Sequence, residues 1–453
     1  MAERNRSTLR PSSGAATSAD SYLSGHGNGG YRTTHYDLEL RYRPDSGRLS
    51  GRAVLAAVAE QALTDFTLDL GAFRLDRVKV DGIRAARYTH RAGKLRIWPA
   101  RALRAGRPFT VEVHYVGNPR PIRSHWGDLG WEELDDGALV AGQPIGAPSW
   151  FPCNDHPADK ATYRISVTAP SPYTVLANGN LHSRTTHSST TTWVYEQPTP
   201  MASYLATALI GHFETVELAP APIPQTAAVP ARLLTRFRWD FARHSQMMTT
   251  FEHFFGPYPF DRYAVVVVDE DLEVPVEAQG LSIFGANHVD GHRSFERLVA
   301  HELAHQWFGN SLTLAAWRHI WLNEGFACYS EWLWSESSGG RRAADLATQA
   351  HASLAEHPRD LRVADPGVRQ MFDDRIYLRG ALALHALRTT LGSTAFFAML
   401  QEWTATYRHR TVTTEAFIAT AQRHTLKPLD ELFTTWLHDT QLPELPHSAN
   451  WQG

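Results

Sequence analysis

The chain predicts an α+β fold, in which a β-rich N-terminal half precedes a mostly helical half that carries a metal-binding motif. Three observations lead there. Tyr36, Leu38, Leu40 and Tyr42 alternate with Asp37, Glu39, Arg41 and Arg43, the period-two pattern of an antiparallel sheet with one wet face. From about Phe237 the apolar spacing changes to three and four, the helical period. Within that second half stands the run His301-Glu302-Leu303-Ala304-His305, followed further on by Glu324.

Taken in order, Met1 to Asp20 is rich in Ser, Arg, Ala and Thr and has no apolar core segment. It reads as a disordered tail, neither a secretory signal nor a membrane span. A β domain is expected over residues 21–214. After the Tyr36 strand come Phe66 to Leu70, Val78 to Gly82, Phe109 to Tyr115, Tyr163 to Thr168, Thr191 to Tyr195 and Ser203 to Gly211. Turn residues such as Asp45-Ser46-Gly47 and Asn178-Gly179-Asn180 separate them. The proline cluster Ala219-Pro220-Ala221-Pro222-Ile223-Pro224 marks the crossover to a catalytic domain over 215–446. There one strand is expected at Ala264 to Val268. Helices are expected at Ser294 to Phe308, Gly325 to Ser335, Arg341 to Ala355, Ile376 to Leu391 and Ser393 to Tyr407. No internal repeat is visible.

On a helix, residues four apart share a face, so His301 and His305 present two imidazoles to one point. Glu302 lies between them and reaches a water held there. The arrangement calls for a divalent metal, first of all one zinc ion, with a water activated beside it. Catalytic zinc takes three protein ligands, and Glu324 in Trp321-Leu322-Asn323-Glu324-Gly325-Phe326-Ala327 is the third candidate. Eighteen residues separate it from His305, enough for a helix end at Gly309-Asn310, a loop and a second packed helix. Glu331, seven residues on, returns to the same face and is expected to accept a hydrogen bond that orients a ligand histidine.

Composition bounds the remaining classes. At 453 residues the chain holds two or three domains with ample core. A net charge of −3 with 20% charged residues points to neither nucleic acid nor membrane as a partner. The two cysteines, Cys153 and Cys328, lie far apart, so the reading is a protein of a reducing compartment, a cytoplasmic one.

The sequence resembles the gluzincin aminopeptidases, peptidase family M1, which includes aminopeptidase N and the leukotriene-epoxide hydrolase. The resemblance rests on HELAH, the eighteen-residue gap and WLNEGFA. It extends to Gly142-Gln143-Pro144, to Trp150-Phe151-Pro152-Cys153-Asn154-Asp155-His156-Pro157 with Lys160-Ala161, and to Tyr377-Leu378-Arg379-Gly380. Tyr22 to Tyr36 and Trp436 to Pro446 look like the short bacterial members, so the likeness covers about residues 21 to 446. It implies a saddle-like β domain and a thermolysin-like catalytic domain, without the further C-terminal helical domain of longer members. It also implies that His301, His305 and Glu324 bind zinc, with Glu302 as general base and Tyr377 as oxyanion donor. Glu277, in Val274-Pro275-Val276-Glu277-Ala278-Gln279-Gly280, matches the glutamate that reads the free amine of a peptide substrate, and Gln143 matches a position beside that amine. By itself Glu277 reads as one acid in a cluster with Asp269, Glu270, Asp271 and Glu273. Two departures from the family's pattern stand out: Val274-Pro275 replaces its Gly-Ala, so that Pro275 has no N–H to donate, and Gln143 stands where the family often has Glu, which removes a negative charge beside the amine. His319 is a third, standing where relatives often carry Asp before the WLNEG stretch.

The function so implied is a zinc aminopeptidase acting on peptides with a free N-terminus. An epoxide hydrolase, a narrow-specificity biosynthetic peptidase and a non-catalytic binding protein stay open as alternatives at this point.

Overall fold

The computed structural model describes residues 11–446. Its contacts fall into two units, Met1–Gly211 and His212–Gly453. The first is built on an eight-stranded sheet in the order Asn180–His187, Thr190–Met201, Ala161–Pro170, Tyr31–Arg43, Arg48–Ala59, Pro108–Gly117, Arg74–Val80 and Ile83–Arg84. Only Ala161–Pro170 and Tyr31–Arg43 pair in parallel. The alternation decides which face is wet: Tyr36, Leu38, Leu40 and Tyr42 are buried, while Glu39, Arg41 and Arg43 are exposed. Behind that face Tyr36 stacks on Tyr163 at 4.8 Å and meets Phe151 edge-on at 5.5 Å. The segment around Asn28 is tied in by buried polar contacts. Asp69 accepts from the Asn28 amide (2.8 Å) and the Gly27 N–H (3.0 Å) and pairs with Lys94 at 2.5 Å.

The second unit holds a five-stranded sheet in the order Glu214–Ala219, Gln225–Val229, Tyr263–Val267, Leu281–Phe284 and Val276–Ala278. The strand Tyr263–Val267 is buried throughout, as expected of a continuous apolar run flanked by parallel neighbours. Around this sheet and beyond it lie helices α1 (Leu234–Asp240), α2 (His244–Phe255), α3 (Glu296–Ala304), α4 (Trp321–Ser337), α5 (Ala343–Ala355), α6 (Asp374–Leu391), α7 (Ser393–Thr406) and α8 (Thr414–Gln422). Among the described residues no helix is long and apolar enough to cross a membrane.

The structure differs from the sequence reading in four places. Of the tail expected over 1–20, residues 1–10 lie outside the described ones, but Ser12–Ser13 pair in parallel with Leu63–Asp69. Sheet pairing there supplies order that composition did not signal. The proline cluster is no crossover; it forms the turn of a hairpin joining Glu214–Ala219 to Gln225–Val229. Where one strand was expected in the second half there are five in one sheet, because the other four, of three to six residues, lack the continuous apolar run that marks Tyr263–Val267. Ser203–Leu205 is a 3₁₀ turn, and the strand starts only at Ala208.

The first residue of α2 carries a pH dependence. The His244 ring is buried, stacked on Tyr263 at 5.1 Å, and its Nδ1 lies 2.8 Å from Gln225 Oε1. Nδ1–H therefore donates, and Nε2 is a buried acceptor that meets no donor. Protonation would bury an uncompensated charge, and burial pulls the imidazole down to about 4. Because the folded value lies below the unfolded one, the neutral ring's contribution is complete above about pH 6.5 and is lost as pH falls towards 4. A 2.5-unit interval corresponds to about 3 kcal/mol. Denaturant melts at pH 7.5 and 4.5 should therefore differ more for the wild type than for His244→Gln; equal slopes would refute this.

Candidate metal centre

The two histidines sit on the last turn of α3, with His301 inside it and His305 capping it. Their rings lie 4.8 Å apart, nearly perpendicular. Each ring is fixed through Nδ1. His301 Nδ1 is 2.8 Å from Glu331 Oε1 on α4, and His305 Nδ1 is 3.0 Å from the Phe308 carbonyl. A carbonyl only accepts, so His305 Nδ1 carries a proton and Nε2 is the nitrogen left for a cation; the Glu331 carboxylate holds His301 in the same orientation.

α4 supplies the third donor. It begins at Trp321, before the Gly325 start expected from sequence, which places Glu324 in its first turn. Glu324 Oε2 stands 3.5 Å from His301 Nε2 and 3.5 Å from His305 Nε2. Two ligands about 2.1 Å from a tetrahedral centre are about 3.4 Å apart, so the spacing is that of a zinc site. The three donors are buried and lie within 4.8 Å of one another.

The chain between the two helices must turn tightly to bring them together. Gly309 has φ +118°, and a Cβ there would stand 3.2 Å from the Asn323 amide and 3.4 Å from His305 Nδ1. A side chain at this position would be strained and would press on the His305 ring. His319, one of the departures noted above, is buried and receives the Thr414 N–H at 3.3 Å. Trp321 Nε1 also reaches Thr414, at 2.9 Å, so the start of α4 is pinned to the start of α8.

Two further carboxylates converge on the centre. Glu302 and Glu277 form, with His305, a second group whose ligand atoms lie within 4.8 Å. Glu302 Oε2 and Glu277 Oε1 are buried without hydrogen-bond partners. Burial pushes the Glu302 carboxyl up to about 7, against the pull of His301 and His305. Glu277 is raised too, again first by burial. Burial also works to raise Glu324, but His305 and His301 outweigh it and hold that carboxyl at about 2. Burial lowers the basicity of His305, yet Glu277 and Glu324 lift it to about 9. Three acids around two imidazoles make a dry site with excess negative charge, which a divalent cation neutralises.

Tyr377, near the start of α6, lays its ring parallel to His301 at 6.0 Å. Burial and the neighbouring Glu324 and Glu277 hold its phenol well above the ordinary range, so it remains a proton donor. Glu331 serves a second partner besides His301, the exposed Arg297 at 3.3 Å. Cys328, one turn after Glu324, is buried and joins neither acidic group. Gln143 belongs to the first unit, after the strand Gly137–Ala141, and its Nε2 is buried with no acceptor.

Sequence reasoning missed Gln306 and Asn310. Gln306 accepts the Gly280 N–H at 2.8 Å and donates to the Ala278 carbonyl at 3.1 Å, where Asn310 also donates at 3.0 Å. Together they hold the edge strand Val276–Ala278, and with it Glu277, against the end of α3. The only signal was two polar residues in an otherwise apolar stretch directly after His305.

The family model for the peptidase M1 N-terminal domain matches residues 32–205, and that for the peptidase family M1 domain matches residues 239–436. An M1 zinc metallopeptidase from Deinococcus radiodurans, solved as a variant bound to a Tyr-Ser-Ala substrate, is 30% identical. It superposes with a TM-score of 0.87, covering 95% of this chain and 99% of that one. Aminopeptidase M1-B of Oryza sativa subsp. japonica is 27% identical over 315 residues, 65% of this chain. Probable aminopeptidase 2 of Sulfurisphaera tokodaii is 28% identical over 337 residues, 68% of this chain. The matches span 36% and 42% of those two relatives' own lengths.

Proposed function

Since the chain belongs to peptidase family M1, we propose that it is a zinc aminopeptidase, releasing the N-terminal residue of peptides whose amine is free. The observation that carries this reading is the pairing of a three-donor zinc geometry with a second acid, Glu277, whose Oε1 is buried and unpartnered. His301, His305 and Glu324 are the ligands, and Glu331 and the Phe308 carbonyl keep both imidazoles in the binding orientation. Zinc bound there supplies Lewis acidity, lowering the pKa of water and polarising the scissile carbonyl.

The protein's own groups do the rest. Glu302 Oε2 is the base that takes a proton from the attacking water and later passes it to the leaving amine. Tyr377 donates its phenolic hydrogen to the oxyanion as the carbonyl becomes tetrahedral. Glu277 Oε1, buried on the edge strand, receives the α-ammonium of the substrate, a charge-assisted bond that counts residues from the free end. Burial leaves that acid poorly solvated, so an ammonium gains more from it than from water. Pro275 lacks an N–H, so the residue before this strand gives no backbone donor to the substrate. The free cysteines, both buried, support a reducing compartment, the cytoplasm, as its place of work.

The test is hydrolysis of aminoacyl arylamides by the zinc-loaded protein with and without chelator. Chelation should abolish turnover, and activity that survives full metal removal would defeat the reading. Glu277→Gln should lower kcat/KM for free peptides about a hundredfold, since a charge-assisted bond is lost in a dry site. N-acetylated peptides, poor from the outset, should be unaffected by that change; an equal loss on both would show that Glu277 does not read the amine.

A further inference from the structure

α4 and α6 carry two of the groups assigned above, Glu324 and Tyr377, and they meet backbone to backbone. Gly325 directly follows Glu324, and Gly380 lies one turn after Tyr377 on the same face of α6. A Cβ added at Gly380 would stand 2.8 Å from the Gly325 Cα and 3.7 Å from Trp321 Cε3. One added at Gly325 would stand 2.9 Å from the Gly380 Cα and 3.0 Å from its carbonyl carbon. The neighbours at 3.0 Å or less are all main chain, which does not swing aside, so no side-chain layer separates the helices at this point.

A second face of α6 is held as firmly. Arg379 is about 100° round the helix from Gly380 and about 200° from Tyr377. Its Nε donates to the Trp436 carbonyl at 3.0 Å, and its two amino groups reach the carbonyls of Leu361, Thr435, Asp439, Thr440 and Gln441 at 2.6 to 3.4 Å. A planar guanidinium with its donors so shared fixes α6 to the segment 435–441. The helix is thus pressed to contact on one face and clasped on a second, about a quarter-turn away.

We infer that Gly380, against Gly325, and Arg379 are positioning residues of the reaction, setting where the Tyr377 hydroxyl stands relative to Glu324. The inference rests on the reading of Tyr377 as the oxyanion donor. Its physical basis is the small tolerance of such a donor. A methyl at Gly380 must withdraw from 2.8 Å to an ordinary carbon contact, a shift of about 1 Å. Displacement of that size costs on the order of a hundredfold when a reacting geometry is spoiled.

The experiment is a double-mutant cycle on the zinc-loaded full chain with Gly380→Ala and Tyr377→Phe, reading kcat, KM, zinc content and thermal melting. Gly380→Ala alone should lower kcat about 10- to 100-fold with KM within about threefold and one zinc retained per chain. In the Tyr377→Phe background the same change should cost less than about threefold, because the group it displaces is gone. An unchanged kcat, loss of zinc, or the same cost in both backgrounds would overturn the inference. A Tyr377→Phe variant with wild-type kcat would instead overturn the reading of the tyrosine itself. Should Gly380→Ala give no cooperative melt, Arg379→Lys takes its place in the cycle. It offers three donors where the guanidinium offers five, and the same pattern of non-additivity is required of it.

Discussion

Replacing Glu302 by Gln should reduce kcat by about a thousandfold while the protein still binds one zinc ion, since general-base contributions run from about a hundredfold to ten thousandfold. Gln has the same shape, and Glu302 touches neither Nδ1 contact that orients the ligands, so the metal site has no reason to change. What is lost is an acceptor basic enough to take a proton from water. A second result should accompany it. Glu302 is a buried carboxylate with an unpartnered oxygen, the kind of group that a fold tolerates only for its chemistry. Removing the charge should leave the melting temperature unchanged or higher. Metal analysis, single-turnover kinetics and a thermal melt check all three points. Turnover within about tenfold of wild type would remove Glu302 from the role of base.

The second large effect belongs to Tyr377. Tyr377→Phe keeps the ring that lies parallel to His301 and deletes only the hydroxyl. Loss of one preorganised oxyanion donor costs about a hundred- to a thousandfold in rate. The loss should appear in kcat, with KM nearly constant, because the hydroxyl meets charge that exists only as the carbonyl turns tetrahedral. Across the accessible alkaline range the wild-type rate should show no fall from phenol ionisation, since burial and the surrounding acids keep that proton in place. A variant that loses affinity and keeps its maximal rate would make Tyr377 a substrate contact instead.

Much of this site was legible because its parts follow local rules. His301 and His305 share a face by helical geometry alone, and Glu302 between them follows from the same turn. Glu331 seven residues beyond Glu324 was placed by period, and its oxygen lies 2.8 Å from the His301 ring. The alternation from Tyr36 to Tyr42 foretold which side of the sheet is wet. Glu277 was different. In the sequence it is one acid among Asp269, Glu270, Asp271 and Glu273, and only resemblance separated it from a solvated loop. Its strand is three residues long, and Gln306 and Asn310, just beyond the end of α3, hold that strand in place. No period in the sequence encodes such a contact.

The sequence by itself therefore determined the donor types, the pairing of two imidazoles on one helix face and the order of a β-rich half before a helical one. These depend on residues within a few positions of each other, where backbone geometry is nearly fixed. Only the tertiary structure decided that Glu324 stands 3.5 Å from both imidazoles. It alone drew two short strands and a proline-rich turn into the sheet beside α3, and set α4 against α6 at two glycines. Those distances arise where distant segments exclude water and one another's atoms, a many-body packing result that no local pattern contains.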